Sequence, residues 1–161
     1  MILNICGEVN YEMFTSLTKA YTSLVKGDIL YIYFSSPEGG STDAAEAVID
    51  IINTNKELTS LIFYGENYSS GMHIFLKTIC SKRILRDTRG MYHFSWQEMI
   101  ISEGGKPSSD YDKFSLKEMK NSLIKTIAYL KTTKLTEKEI KIISKSKEMY
   151  FTYDRMLELI S

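Results

Sequence analysis

Residues 29–42 read ILYIYFSSPEGGST and place an apolar run directly before a turn that contains two adjacent glycines. Such a run, bounded by turn signals and rich in Ile and Tyr, is typical of a buried strand. The alanine-rich stretch that follows has apolar residues at helical spacing, which predicts a helix. Because adjacent glycines let a ligand approach the backbone closely, Gly39 and Gly40 form a candidate oxyanion site, with an ordinary tight turn as the alternative.

The same alternation of strand and helix extends on both sides of this stretch. Residues 2–6 predict a first buried strand, and Asn10 predicts the cap of a helix before the second strand. Further apolar runs at 58–64, 83–86 and 90–94 predict strands, with a helix between the first two. Strands that alternate with helices indicate an α/β fold with parallel pairing and right-handed crossovers.

The second half of the chain differs in pattern, and we expect a single domain made of four parts. Residues 1–95 form the α/β core, and 96–111 form a flexible loop with Gly, Pro and Ser signals. Residues 112–133 form a long amphipathic helix, and 134–161 form the C-terminal helices.

Composition excludes several classes of protein. The chain has 161 residues with 20 basic and 20 acidic side chains, so no net charge attracts nucleic acid. No stretch of about 18 apolar residues predicts a membrane span, and the N-terminus lacks a signal-peptide pattern, so we expect a cytoplasmic protein. Two histidines and two cysteines without ligand spacing predict no metal site, and no cofactor is expected.

A second polar motif, GENYSSG at 65–71, follows the predicted third strand. A serine at such a strand-to-helix turn is a candidate nucleophile, with an ordinary helix N-cap as the alternative. His93 lies 24 residues beyond Ser69 at the end of another predicted strand and is a candidate general base, or else a structural histidine. We expect His73 to be a packing or surface residue.

The order of these motifs resembles the proteolytic subunit of the Clp protease, a member of the ClpP/crotonase superfamily. That family reads approximately N-S-P-G-G-S, then G-x-A-A-S-M-G, then N-S-R-x-x-x-H. This chain reads SSPEGGS at 35–41, GENYSSG at 65–71 and TRGMYH at 88–93. The resemblance implies a ClpP/crotonase fold of repeated β-β-α units, with a long handle helix in the C-terminal half.

The resemblance also implies a serine endopeptidase that works through a Ser-His-acid triad and an acyl-enzyme. Ser69 falls on the nucleophile and His93 on the general base. Gly40 and Ser70 fall on the residues whose N–H groups form the oxyanion hole. The segment KEMYFT at 147–152 is similar to the family's R-D-x-F-x-S/T, which puts Glu148 in the place of the triad Asp.

Three departures from the family pattern leave alternatives open. Glu38 is inserted before the two glycines, Asn67 and Tyr68 replace small residues before the serine, and a glutamate replaces the triad aspartate. A catalytically weak or inactive ring subunit is therefore one alternative. A crotonase-like acyl-CoA enzyme, which needs the oxyanion site but no aligned Ser and His, is another.

The resemblance implies partners as well. Peptides or unfolded proteins are the expected substrates, and a homo-oligomeric ring, or two stacked rings, is the expected assembly. An ATP-driven unfoldase stays open as a partner. The sequence begins directly at the first strand, which argues against it, since the family engages its unfoldase through a segment before that strand.

Overall fold

The computed structural model describes residues 1–94, 110–145 and 147–161 of the chain. The strands within these residues are β1 (Ile2–Cys6), β2 (Leu30–Ser36), β3 (Thr59–Tyr68), β4 (Ser81–Ile84), β5 (Arg89–Tyr92) and β6 (Met149–Phe151). The α-helices are α1 (Tyr11–Thr22), α2 (Thr42–Thr54), α3 (Ser70–Lys77), α4 (Asp110–Leu130), α5 (Glu137–Ile143) and α6 (Tyr153–Ile160). A short 3₁₀ helix covers Lys56–Leu58.

The strands form one sheet in the order β1-β2-β3-β5-β6, with β4 also paired to β3. The pairs β1·β2, β2·β3, β3·β4 and β3·β5 are all parallel. The ten-residue β3 pairs with β4 along its first half and with β5 along its second half. The helices α1, α2 and α3 supply the crossovers that parallel strands require.

A bulge divides the two halves of β3. The register with β2 shifts between the pair Phe34↔Phe63 and the pair Ser36↔Asn67. Gly65 lies within this bulge at φ +59°, a backbone conformation that favours glycine. The side-chain amide of Asn67 donates to the Tyr64 carbonyl over 3.1 Å and braces the bulge. The second half of β3 is thereby redirected to pair with β5.

The chain divides into two compact units. The first comprises Met1–Met91 with Tyr150–Ser161. Its core is centred on three fully buried rings, with Phe63 packed edge-on against Phe34 at 5.4 Å and against Phe75 at 5.0 Å. These rings come from β2, β3 and α3, so the aromatic cluster joins the sheet to the helix that follows β3.

The second unit comprises Tyr92–Met149 and contains α4 and α5. A capping box opens α5: the Thr136 hydroxyl accepts from the Glu139 N–H, and the Glu139 carboxylate accepts from the Thr136 N–H over 2.6 Å. Leu130 and Ile143 are fully buried in this unit. None of the helices within the described ranges is long and apolar enough to cross a membrane.

The structure confirms the predicted α/β class with parallel strand pairing, and it changes several details. β3 extends to Tyr68, so most of the GENYSSG segment is strand rather than turn. β1 is largely exposed apart from Ile5, because it pairs with one neighbour only. The C-terminal region 134–161, predicted as helices, also contains β6.

The expected boundaries in the second half differ as well. The long helix predicted at 112–133 spans Asp110–Leu130, two residues earlier at its start. The predicted flexible loop at 96–111 lies outside the described residues, except for its last two positions, which are helical. The segment Tyr150–Ser161 belongs to the first compact unit, although the second unit precedes it along the chain. The single-domain organisation stays a prediction.

Candidate active site

Ser69 occupies the junction between β3 and α3, and its backbone is strained. Its φ of +50° and ψ of −112° lie in a region that residues other than glycine rarely adopt. Within the described residues, the Ser69 side chain makes no capping hydrogen bond to α3. Ser69 thus occupies the N-cap position without the side-chain hydrogen bond of an ordinary N-cap serine, and its role stays a prediction. Strain of this kind at a sharp strand-to-helix turn is typical of positions that present a side chain for chemistry.

Two backbone hydrogen bonds fix the position of the strained Ser69. The Ser69 N–H donates to the Met91 carbonyl of β5 over 2.7 Å, and the Ser69 carbonyl accepts from the His73 N–H over 3.0 Å. The first contact continues the β3·β5 ladder past Tyr68↔Met91, and the second is the first turn of α3. Ser69 is thus tied to the sheet on one side and to a helix on the other.

The glycine turn lies directly against this serine. A Cβ built on Gly39 would come within 2.7 Å of the Ser69 Cβ and 3.4 Å of its Oγ, so only glycine fits there. A Cβ on Gly40 would meet the Val9 carbonyl oxygen at 2.3 Å. Their φ angles of +70° and +136° also favour glycine. Both glycines are therefore needed for close approach and for backbone conformation.

Hydrogen bonds orient the peptide groups of the turn. The Gly39 carbonyl accepts from the Val9 N–H over 2.6 Å and from the Ser36 hydroxyl over 3.2 Å. The Gly40 carbonyl accepts from the Ser70 hydroxyl over 2.7 Å. Because N–H and C=O point in opposite directions across a trans peptide, the Gly40 N–H points away from Val9.

The last glycine of the motif, Gly71, serves packing. A Cβ at this position would come within 2.7 Å of the Ser36 Cβ, so its absence lets the start of α3 lie against the end of β2. Ser36 is fully buried, and its hydroxyl reaches the Gly39 carbonyl. The ends of β2 and β3 and the start of α3 therefore converge at one place.

A charged cluster lies one helical turn behind this convergence. The Glu46 carboxylate on α2 accepts from the His73 Nε2 over 2.8 Å and from the Lys77 ammonium, both on α3. The hydrogen bond from His73 is the main cause that lowers the pKa of Glu46 to about 2, and Lys77 contributes. His73, expected as a packing or surface residue, is buried and paired to a carboxylate.

Glu46 is not among the candidate residues that the sequence motifs indicate. A signal was present, since it is the only charged residue in the run AAEAVI at 44–49, which is otherwise apolar. An acidic side chain on the buried face of a helix needs a hydrogen-bonding or oppositely charged partner, because an unpaired buried charge is costly. Which residue is that partner depends on how α2 and α3 pack, and the sequence alone does not state it.

Tyr68 marks a further difference from the family pattern. Its phenol is half-buried, and its pKa is raised, mainly by partial burial and further by Glu66. Glu66 stands opposite Arg89 in the β3·β5 register. A bulky aromatic side chain thus immediately precedes the serine, and a pair of opposite charges lies across β3 and β5 at the position of Glu66.

The structure brings together three of the five predicted site residues. Ser69, Ser70 and Gly40 lie in the first unit, linked by the contacts described above. His93 directly follows β5 and is half-buried, and Glu148 directly precedes β6 and is exposed. These two residues belong to the second unit. Their roles stay predictions.

Groups of three or more His, Cys, Asp or Glu side chains able to hold a metal ion do not occur among the described residues. The predicted site residues that the structure brings together offer hydroxyl and backbone amide groups, which acyl-transfer chemistry uses.

Comparison with known proteins places this fold and this motif order in one family. The family model described as Clp protease matches residues 1–154, so the chain belongs to the Clp protease family. Among solved structures, it is similar to the ClpP1 N165D mutant from Listeria monocytogenes, with a TM-score of 0.70 and 19% identity. That match covers 98% of this chain and 86% of the other. A comparison with curated protein sequences finds no match.

Proposed function

We propose that this chain is a serine endopeptidase of the Clp type, in which Ser69 is the nucleophile, His93 the general base and Glu148 the residue that orients the imidazole. The observation that carries the proposal is the contact between the strained Ser69 and Gly39, in a chain that belongs to the Clp protease family. Such a contact leaves no room for a side chain on Gly39 and brings the glycine turn against the serine.

The proposed reaction begins when the Ser69 Oγ attacks a peptide carbonyl carbon and His93 accepts the hydroxyl proton. The tetrahedral oxyanion receives hydrogen bonds from the N–H groups of Gly40 and Ser70. His93 then returns the proton to the leaving amine, and water releases the acyl group from Ser69. The orientation of the Gly40 N–H away from Val9 supports its role as a donor.

The motif order supports the role of His93. The segment TRGMYH at 88–93 resembles the family's S-R-x-x-x-H, and His93 occupies the position of its histidine. An imidazole is the side chain best able to accept and return a proton near neutral pH.

A non-catalytic ring subunit is the second candidate, and specific residues favour it. Tyr68 is bulky where the family has a small residue, and Glu148 is exposed. In either case we propose a homo-oligomeric ring in the cytoplasm, with peptides or unfolded proteins as substrates if the triad is competent.

The deciding experiment treats the full chain with a serine-directed fluorophosphonate and locates the adduct by mass spectrometry. An adduct on Ser69 that is absent in Ser69→Ala, together with hydrolysis of a fluorogenic peptide, supports the peptidase. Ser144→Ala is the matched control, because Ser144 lies at the end of α5 and caps only a local carbonyl. No adduct and no hydrolysis would support the inactive ring subunit. Binding of an acyl-CoA by an unlabelled protein would instead support the crotonase-like alternative.

A further inference from the structure

The Glu46–His73 pair joins α2 and α3 close to where both helices begin. Glu46 Oε1 accepts from the His73 Nε2 over 2.8 Å, and Lys77 donates to the same oxygen. Only 10% of the His73 side chain is exposed, against 41% of the Glu46 side chain. An ionised carboxylate only accepts hydrogen bonds, so the His73 Nε2 carries the hydrogen in this contact.

His73 is one helical turn past Ser69, and Glu46 is six residues past Gly40. α2 begins after the Ser41 cap, which directly follows Gly40, and Glu46 lies five residues beyond that cap. α3 begins after Ser69, and the backbone N–H of His73 donates to the Ser69 carbonyl. A shift of Glu46 relative to His73 therefore displaces the glycine turn relative to the serine.

A neutral side-chain hydrogen bond also joins the two helix starts at the site itself. The Ser70 hydroxyl donates to the Gly40 carbonyl over 2.7 Å and joins the two helix starts directly. At the opposite ends of the same helices, Asn53 donates to the Lys77 carbonyl over 3.2 Å and accepts from the Ile79 N–H over 2.8 Å. The charged pair thus lies between the site and this distal link.

From this arrangement we infer that Glu46 and His73 are positioning residues, which hold the Gly40 amide at a fixed distance from the Ser69 hydroxyl. The inference rests on the proposed peptidase function and adds to it a pair of residues outside the triad. A hydrogen bond to a charged group is stronger than a neutral one, so the pair resists separation of α2 and α3 more than the Ser70 contact does alone. An oxyanion-hole N–H lowers the barrier only if it is already positioned when the oxyanion forms. A fixed distance between the Gly40 N–H and the Ser69 hydroxyl should therefore keep the acylation rate high.

The test compares Glu46→Ala with Glu46→Gln and with Asn53→Ala in the full chain. Glu46→Ala removes the acceptor, and we expect the rate of fluorophosphonate labelling and kcat to fall by about 10-fold, with KM nearly unchanged. Glu46→Gln keeps an oxygen for His73 but loses the charge, so its rate should fall less than that of Glu46→Ala. Asn53→Ala removes two hydrogen bonds away from the site, one to the last residue of α3 and one to Ile79 just beyond that helix, and should leave the labelling rate unchanged.

A second measurement keeps the inference separate from the peptidase proposal. Amide hydrogen exchange at Gly40 and Ser70 should become faster in Glu46→Ala than in Asn53→Ala, whether or not the protein cleaves peptides. If the wild-type chain is not labelled, the peptidase proposal fails and the exchange rates still decide the positioning role. Equal exchange in the two variants, or equal loss of labelling in both, would overturn the inference.

Discussion

Ser69 and Gly39 are in contact, and the contact leaves no room for a side chain on Gly39. A Cβ built on Gly39 would lie 2.7 Å from the Ser69 Cβ. The contact joins the end of β3 to the turn that follows β2, which are adjacent in space and 30 residues apart in sequence. The glycine turn and the serine therefore form one unit, and a change on either side should affect the other.

Gly39→Ala should reduce labelling of Ser69 by about 10-fold or more, because the new methyl group displaces either the serine or the turn. Alanine at φ +70° also costs about 1 kcal/mol of stability. Gly27→Ala is the matched control, since Gly27 has a φ of +96° and no atom within 4 Å of the added Cβ. The control should lose stability and keep the labelling rate. Equal labelling rates of Gly39→Ala and Gly27→Ala would contradict the contact between Gly39 and Ser69.

Ser70→Ala should lower the free energy of unfolding by about 1 kcal/mol, the usual net value of a neutral hydrogen bond, because the bond to the Gly40 carbonyl is lost. It should also slow labelling of Ser69, since the glycine turn loses a direct tie to α3. Chemical denaturation measures the first effect and a labelling time course the second. Ser144→Ala loses a comparable bond to the Lys141 carbonyl, and a similar fall in its labelling rate would rule out a local effect.

Glu46 predicts a pH dependence of stability in the acid range. Its pKa is lowered from 4.5 to about 2 in the folded chain, so the unfolded chain binds more protons between these values. The stabilising contribution is therefore complete above about pH 4.5 and is lost as the pH falls toward 2. Partial exposure of the carboxylate limits its size through solvent screening.

Urea unfolding of the wild-type chain and of Glu46→Gln at a series of pH values measures this contribution. The wild-type chain should be more stable than the variant near pH 6, and the difference should shrink steadily toward pH 2.5. A difference that stays constant or grows in acid would show that the carboxylate is not held ionised by His73 and Lys77.

Phe63→Ala should destabilise the first unit by about 3–5 kcal/mol, because it leaves a cavity between two other buried rings. Tyr11→Ala is the control, since this aromatic side chain is 59% exposed, and its effect should stay within about 0.5 kcal/mol. Thermal or urea unfolding followed by tyrosine fluorescence gives both values. A small effect at Phe63 would mean that the aromatic cluster is not the centre of the core.

The local pattern of the sequence was sufficient for the class of fold and for most elements. Apolar runs located five of the six strands among the described residues, and the cap at Asn10 was identified correctly. These features depend on neighbours within a few residues along the chain. β6 was missed, because a three-residue strand exists only through its pairing with a distant strand.

For the candidate site, too, the sequence indicated some features and the structure was needed for others. The motif order indicated the serine, the second glycine and the following serine. The contact of Gly39 with Ser69 and the pairing of Glu46 with His73 were not visible in it. Both depend on two segments that meet through the register of parallel strands and the packing of two helices.

The sequence by itself thus determined which segments become strands and helices and which residues are chemically able to act, because periodicity, capping and side-chain chemistry are local properties. Only the tertiary structure decided that the double-glycine turn lies against the strained serine, and that a carboxylate and an imidazole join the helices behind them. Contacts between residues about 30 positions apart depend on the packing of the whole sheet, and no short stretch of sequence contains that information.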